Sequence, residues 1–199
     1  MATTKDIVIE QAATFYMIVR WGTEPYLFAA ITGITQSAPA KITAPAHGLK
    51  SGWPVAISSV QGMLDINAST SPPKAKDFQP VTVVDTNTVT VDDLNASGFS
   101  AYSGGGVLQY MTPQALTGYT AKMSIKDKVG GTEVFHLDST SYTIVIDPVA
   151  LTITLSISAS ESSAFTWTKG VYDLKLTSSL GVVTTILSGK VTVNPAVTF

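Results

Sequence analysis

The sequence predicts an all-β protein: an antiparallel β-sandwich interrupted by a second, smaller, barrel-like β-module. Three observations predict it. Apolar and polar residues alternate with period two over several segments, the signature of strands with one buried face. Short turn signals separate those segments at the spacing of a sandwich or barrel. The opening pattern of residues 6–21 also breaks off and resumes only at 115–127, and the stretch between has its own turns and its own glycine-rich close. The expected organisation is a discontinuous sandwich over 1–32 and 111–199, with an inserted module over 33–110.

Residues 6–21 read as two opening strands. In the insert, strands are expected at Lys41–Thr43, Trp53–Ser58, Pro80–Val84, Thr88–Val91 and Gly106–Tyr110. The third and fourth form a hairpin around Asp85–Asn87, whose side chains can satisfy a tight turn. Ser69–Asp77, with Pro72, Pro73, Lys74 and Lys76, has the composition of an exposed loop. After the insert, Tyr119, Ala121, Met123 and Ile125 share one face of a strand. Glu133–Leu137 alternates likewise. Leu151, Ile153, Leu155 and Ile157 oppose Thr152, Thr154, Ser156 and Ser158, and Tyr172, Leu174 and Leu176 oppose Asp173, Lys175 and Thr177. Leu151, Ile153, Leu155, Tyr172, Leu174 and Leu176 are therefore expected to face one core. Val129-Gly130-Gly131, Asp147-Pro148 and Ser179-Leu180-Gly181 are competent turns. Ser158–Ala164, with Ser and Glu ahead of an apolar residue, is the place for a single helical turn.

Composition narrows the function classes. The 199 residues are 45% hydrophobic, enough for one or two cores, and only 13% charged, about half the usual share. A disordered chain would show the reverse. A surface so poor in charge is covered by Thr, Ser, Ala and Gly, and such surfaces pack readily against neighbours. The net charge of −2 gives no electrostatic footprint for nucleic acid or an anionic membrane. Cysteine is absent, which removes disulfides, thiolate zinc sites and cysteine nucleophiles. Lys5, Asp6, Glu10 and Gln11 interrupt the first residues before an apolar run develops, so neither a signal peptide nor a membrane span is predicted. The expectation is a soluble, unsecreted protein.

Candidate chemistry is sparse. His47, before Gly48, reads as a turn residue, and His136 as a sheet-face side chain; neither has a partner at ligand spacing. No G-x-S-x-G elbow supports a Ser-His-Asp arrangement. Asp92, Asp93 and Asn95 offer oxygens, but calcium wants about six, and a solvated turn is the simpler reading. Gly104-Gly105-Gly106 precedes a strand with no following Lys-Ser/Thr, so it reads as a turn rather than a phosphate loop. Trp21, Trp53 and Trp167 show no clustered spacing and read as core or interface packing. No catalytic, cofactor-binding or metal-ligating residue is assigned, and no cofactor is expected.

The residues nevertheless carry a resemblance. Asp6, Ile9, Glu10, Gln11 and Ala13-Thr14-Phe15 are followed by Leu116-Thr117-Gly118-Tyr119-Thr120-Ala121. Gly170-Val171-Tyr172-Asp173-Leu174-Lys175-Leu176 and Gly189-Lys190-Val191-Thr192-Val193 complete the series. Together they resemble the Ig-like domain of phage tail and baseplate-associated proteins. Ala12 departs from the pattern, which prefers Gly there, and is expected to tighten or shift that turn. In the insert, His47-Gly48-Leu49, Gly52, Val55–Ile57, Gly62-Met63, Asn67, Val81–Asp85, Asn87-Thr88 and Gly104–Gly106 resemble the FCCH-type β-module named from ubiquitin-activating enzymes. The resemblance implies a non-enzymatic structural protein of a tailed-bacteriophage virion, assembled in the bacterial host cytoplasm. Its place would be the neck, tail or baseplate. The implied partners are other virion proteins, met in multiple copies of a symmetric assembly, with no nucleic acid and no membrane. Weak contacts repeated around a ring combine multiplicatively. A capsid decoration protein and a carbohydrate-binding or host-adhesion module are the alternatives.

Overall fold

The computed structural model describes residues 3–197. In chain order its strands are β1 (Thr3–Thr4), β2 (Ile7–Glu10), β3 (Phe15–Val19), β4 (Gly22–Ala30), β5 (Gly33–Ile34), β6 (Ala40–Thr43), β7 (Trp53–Gln61), β8 (Gln79–Asp85), β9 (Thr88–Val91) and β10 (Gly104–Pro113). Then follow β11 (Thr120–Lys126), β12 (Glu133–Asp138), β13 (Ile144–Asp147), β14 (Thr152–Ile157), the helical turn α1 (Ala159–Ser163), β15 (Lys169–Thr177) and β16 (Val183–Asn194). The fold is all-β and sandwich-like, without a closed barrel.

The chain divides into two compact units, residues 1–21 with 114–199, and residues 22–113. The expected boundaries at 32/33 and 110/111 therefore move outward. The reason is β4, which pairs along its length with β10 (Ala30 opposite Val107, Gly22 opposite Pro113) and so belongs to the insert. Pro25 and the weak alternation of this stretch hid the strand.

In the outer unit, β12, β11, β15 and β16 form an antiparallel sheet extended by β1 and β2. Both additions run parallel to β16. Facing this sheet is a second one of order β13-β14-β3. Alternation decides what goes between them: Met123, Ile125, Leu137, Leu174, Ile153 and Leu155 are fully buried in one core, together with Tyr172, Leu176, Met17 and Val191. Leu151 does not join them. It lies in the turn before β14 with φ +55, so the apolar set of that strand starts at Ile153. At about 25 cal/mol per Å² of apolar surface, each buried Leu or Ile contributes on the order of 1.5–3 kcal/mol.

The opening residues hold the unit together by specific bonds. The Tyr172 hydroxyl donates to the Lys5 carbonyl at 2.6 Å, and the Lys190 amide donates to the Asp6 carboxylate at 2.8 Å. Burial, reinforced by the Asp6 charge, pushes the Tyr172 phenol up to about 12. The Gln11 side chain donates to the Phe165 carbonyl at 2.9 Å, and Asn194 donates to Glu10 at 2.8 Å. Gly189 allows the close approach, since a Cβ there would collide with the Lys5 carbonyl. Ala12 occupies the third position of a turn closed by the Ala13 amide on the Glu10 carbonyl at 3.2 Å, and its φ is +60. α1 forms where expected, with the Ser158 hydroxyl and the Glu161 carboxylate capping each other's backbone amides.

The insert is one seven-stranded sheet of order β4-β10-β7-β8-β9-β6-β5. Its two ends, β4 and β5, do not pair with each other, so the sheet is not a closed barrel. They are instead successive pieces of one segment. Between them the Ile31 amide donates to the Gly106 carbonyl and the Thr32 amide to the Thr43 carbonyl, each bond on a different side of the sheet path. Ala29, Ile42, Trp53, Val55, Val81, Val89, Val91 and Leu108 are buried. The β8–β9 hairpin turns at Asp85, whose carboxylate accepts from the Asn87 amide at 2.7 Å.

Candidate interaction surfaces

Both histidines serve structure before chemistry. His47 is 2% exposed. Its Nδ1 accepts from the Leu49 amide at 3.0 Å and its Nε2 meets the Asp85 carbonyl at 3.1 Å. This pairing assigns the proton to Nε2, leaving no nitrogen for a metal or a substrate. The Tyr110 hydroxyl donates to the His47 carbonyl at 2.6 Å and secures the same loop. An open groove of about 710 Å³ beside it is lined by residues 46–51 with Val83, Asp85 and Thr86.

His136 stands on the outward face of β12, with Nδ1 3.0 Å from Glu133 and Nε2 3.7 Å from Asp138. Lys122 approaches Glu133 at 3.8 Å. The Ser124 hydroxyl, then Lys122 and His136, hold the Glu133 carboxyl below its usual value. Asp138 is held down to about 2, chiefly by the Thr140 hydroxyl and the Ser141 amide. Glu133 and His136 are three apart and would face opposite sides of a regular strand. A bulge at Val134 brings them to one side. That juxtaposition was invisible in the sequence, where only the alternation of 133–137 could be read. The groove running along this edge, about 520 Å³, is bordered by Glu133, His136, Asp138, Thr143 and Glu161.

The remaining candidates disperse. Asp92 accepts from the Thr82 and Thr90 hydroxyls, and the Asn95 side-chain oxygen accepts from the Ser97 amide and hydroxyl. Among the described residues no three His, Cys, Asp or Glu side chains converge as a metal site. Gly104, Gly105 and Gly106 all have positive φ and open β10; at the latter two a Cβ would strike Ser59 and Val60, so strand approach explains them. Trp53 is buried, Trp21 meets Tyr119 edge-on at 5.6 Å, and Trp167 packs on Phe165 at 5.0 Å.

What the structure offers instead are exposed apolar faces, one on each unit. On the outer unit, the solvent side of the three-stranded sheet presents Tyr16, Ile18 and Val145, all about half exposed or more. Ile18, Thr154 and Val145 stand in register across it, and Tyr16 stands beside Ser156. The charged groups at its corner are engaged in a turn: Arg20 donates to the Ala150 carbonyl at 2.8 Å, and Asp147 accepts from the Val149 and Ala150 amides at 2.8 Å. On the insert, Tyr26 stacks on Phe78 at 5.9 Å beside Met111, and Phe28 in the same strand is 61% exposed. Sequence reading missed this cluster because the strand that carries it went unrecognised. No helix among the described residues is long and apolar enough to cross a membrane. No family model matches the chain, and no curated protein matches it.

Proposed function

We propose that the protein is a structural component of a tailed-bacteriophage virion, docking at the neck, tail or baseplate through protein–protein contacts. The observation that carries an assembly role is the exposed, uncharged face of Tyr16, Ile18, Val145 and the intervening Thr and Ser side chains, backed by the buried core. A face of this kind suits packing against another protein surface. The phage assignment rests on the Ig-like and FCCH-type resemblances. It gains support from the role of the matching residues, since Asp6, Glu10, Gln11 and Tyr172 all make bonds that hold the outer unit closed. A capsid decoration role would use the same surfaces at another address.

The test is an inventory of purified particles by quantitative mass spectrometry. The protein should appear at a copy number matching a symmetric ring or lattice, and deleting its gene should impair assembly or attachment. Its absence from purified virions would defeat the proposal. The Tyr26, Phe78 and Phe28 cluster favours one second reading, a saccharide-binding role of the insert, because aromatic faces stack on sugars. Titration with host surface glycans should then shift the ring resonances of those three residues, and unchanged resonances would refute that reading.

A further inference from the structure

We propose that the free edge of β12 is a docking groove for an extended, cationic segment of a partner protein, held by strand addition. Among the described residues β12 ends its sheet and pairs only with β11. The Asp138 amide donates to the Thr143 hydroxyl at 2.9 Å, and the Asp138 carbonyl accepts from the same hydroxyl at 3.1 Å. The peptide groups of Asp138 therefore face away from β11. Alternation along an antiparallel strand turns those of His136 the same way, into the groove. An incoming strand would bond to the His136 amide and carbonyl, next to the bulge where Val134 has no partner residue on β11.

Charge selects the occupant. Glu133, Asp138 and Glu161 border this groove, against two lysines of β11: Lys122, which contacts Glu133, and Lys126, which stands opposite Glu133 in register. The carboxylates are strung out and do not converge on a metal. Dispersed anions suit side chains that recur every second residue of an extended chain, about 7 Å apart. A second copy of β12 brings no cation: with the outward-facing His136 opposite itself, the antiparallel register sets Asp138 opposite Val134, and neither carboxylate gains a counter-charge. A segment with Lys or Arg at alternate positions meets the same groove with attraction at each end, so that is the partner chemistry. The inference is independent of the virion reading and fails or stands on the purified chain alone.

The experiment is an NMR titration of the full chain with the acetylated, amidated peptide Lys-Thr-Lys-Val-Lys-Thr-Lys and with its counterpart carrying Glu for Lys. The lysine peptide should shift the β12 amides and slow hydrogen exchange at His136, more strongly at low salt. The glutamate peptide should do neither. Glu133→Gln and Glu161→Gln, the latter still able to cap α1, should each weaken binding roughly two- to fivefold. His136→Pro removes the outward amide at an edge position that tolerates proline and should abolish binding, whereas His136→Ala should retain it. Equal binding of both peptides, shifts confined to other strands, unchanged affinity in the Gln variants, or self-association through β12 in sedimentation would each overturn the proposal. Should the proline variant unfold, exchange at His136 in the wild-type complex decides alone.

Discussion

Replacing Ala12 by glycine should make the outer unit more stable, against the usual effect of glycine in a folded protein. Ala12 is the third residue of a turn closed by the Ala13 amide on Glu10, and its φ is +60. Among the turn's central positions only this one has positive φ, as in a type II turn, where glycine is preferred. Holding an L-residue in the left-handed region costs about 1–2 kcal/mol. The greater freedom of glycine in the unfolded chain returns about 0.4–1 kcal/mol of that, and the half-buried methyl group is a minor loss. The balance is a gain of roughly 0.5–1 kcal/mol. With a urea m-value of about 1–3 kcal/mol/M, the midpoint of the outer unit should rise by roughly 0.2–1 M. Urea unfolding followed through the amide signals of β15 and β16 would isolate this unit from the insert. Ala13→Gly, one residue on and without positive φ, is the control and should lower the midpoint. If Ala12→Gly destabilises as much as the control, the turn is not of this type and the reasoning is wrong.

Three further outcomes are expected. Leu174→Ala, fully buried between Met123 and Leu187, should cost about 2–5 kcal/mol, while Val145→Ala on the exposed face should stay within about 0.5 kcal/mol; equilibrium denaturation distinguishes them, and similar losses would place the core on the wrong face. Excising 22–113 and joining Trp21 to Gln114 through a short Gly-Ser linker should leave a cooperative thermal transition, because the Gln114 amide already donates to the Trp21 carbonyl at 3.0 Å; loss of all folding would contradict two separable units. Asp138 has its pKa depressed to about 2 by the Thr140 and Ser141 bonds, so its contribution is complete above the ordinary aspartate value of about 4 and is lost as pH falls toward 2. The difference in urea midpoint between the wild type and Asp138→Ala should therefore be constant from pH 7 to about pH 5 and shrink below it, and a difference that grows with acid would reverse the sign of the argument.

Much of the fold was legible because burial on one face of a strand leaves a direct record in the chain. The period-two segments at 119–126, 151–158 and 172–176 gave the strands Thr120–Lys126, Thr152–Ile157 and Lys169–Thr177 with the expected faces inward, except at Leu151, which lies in a turn. The capping pair Ser158 and Glu161 marked a helical turn, and Asp85–Asn87 marked a hairpin, because each satisfies backbone amides locally. The site was far less legible. His47 read correctly as part of a turn, but nothing in its neighbourhood announced bonds to Leu49 and Asp85 that bury it.

By itself, then, the sequence determined the all-β class, the faces of the regular strands, the local turns and caps, and the break between 21 and 115. These depend on neighbours a few residues away, whose side-chain spacing encodes them. Tertiary structure alone decided where the break falls, since β4 is defined by its partner β10 and not by its own alternation. It alone decided that β1 and β2 join β16 in parallel, that one segment supplies both ends of the insert sheet, and that a bulge turns Glu133 to the side of His136. Each of these is a pairing between distant parts of the chain, where backbone groups with no side-chain signature choose their partners.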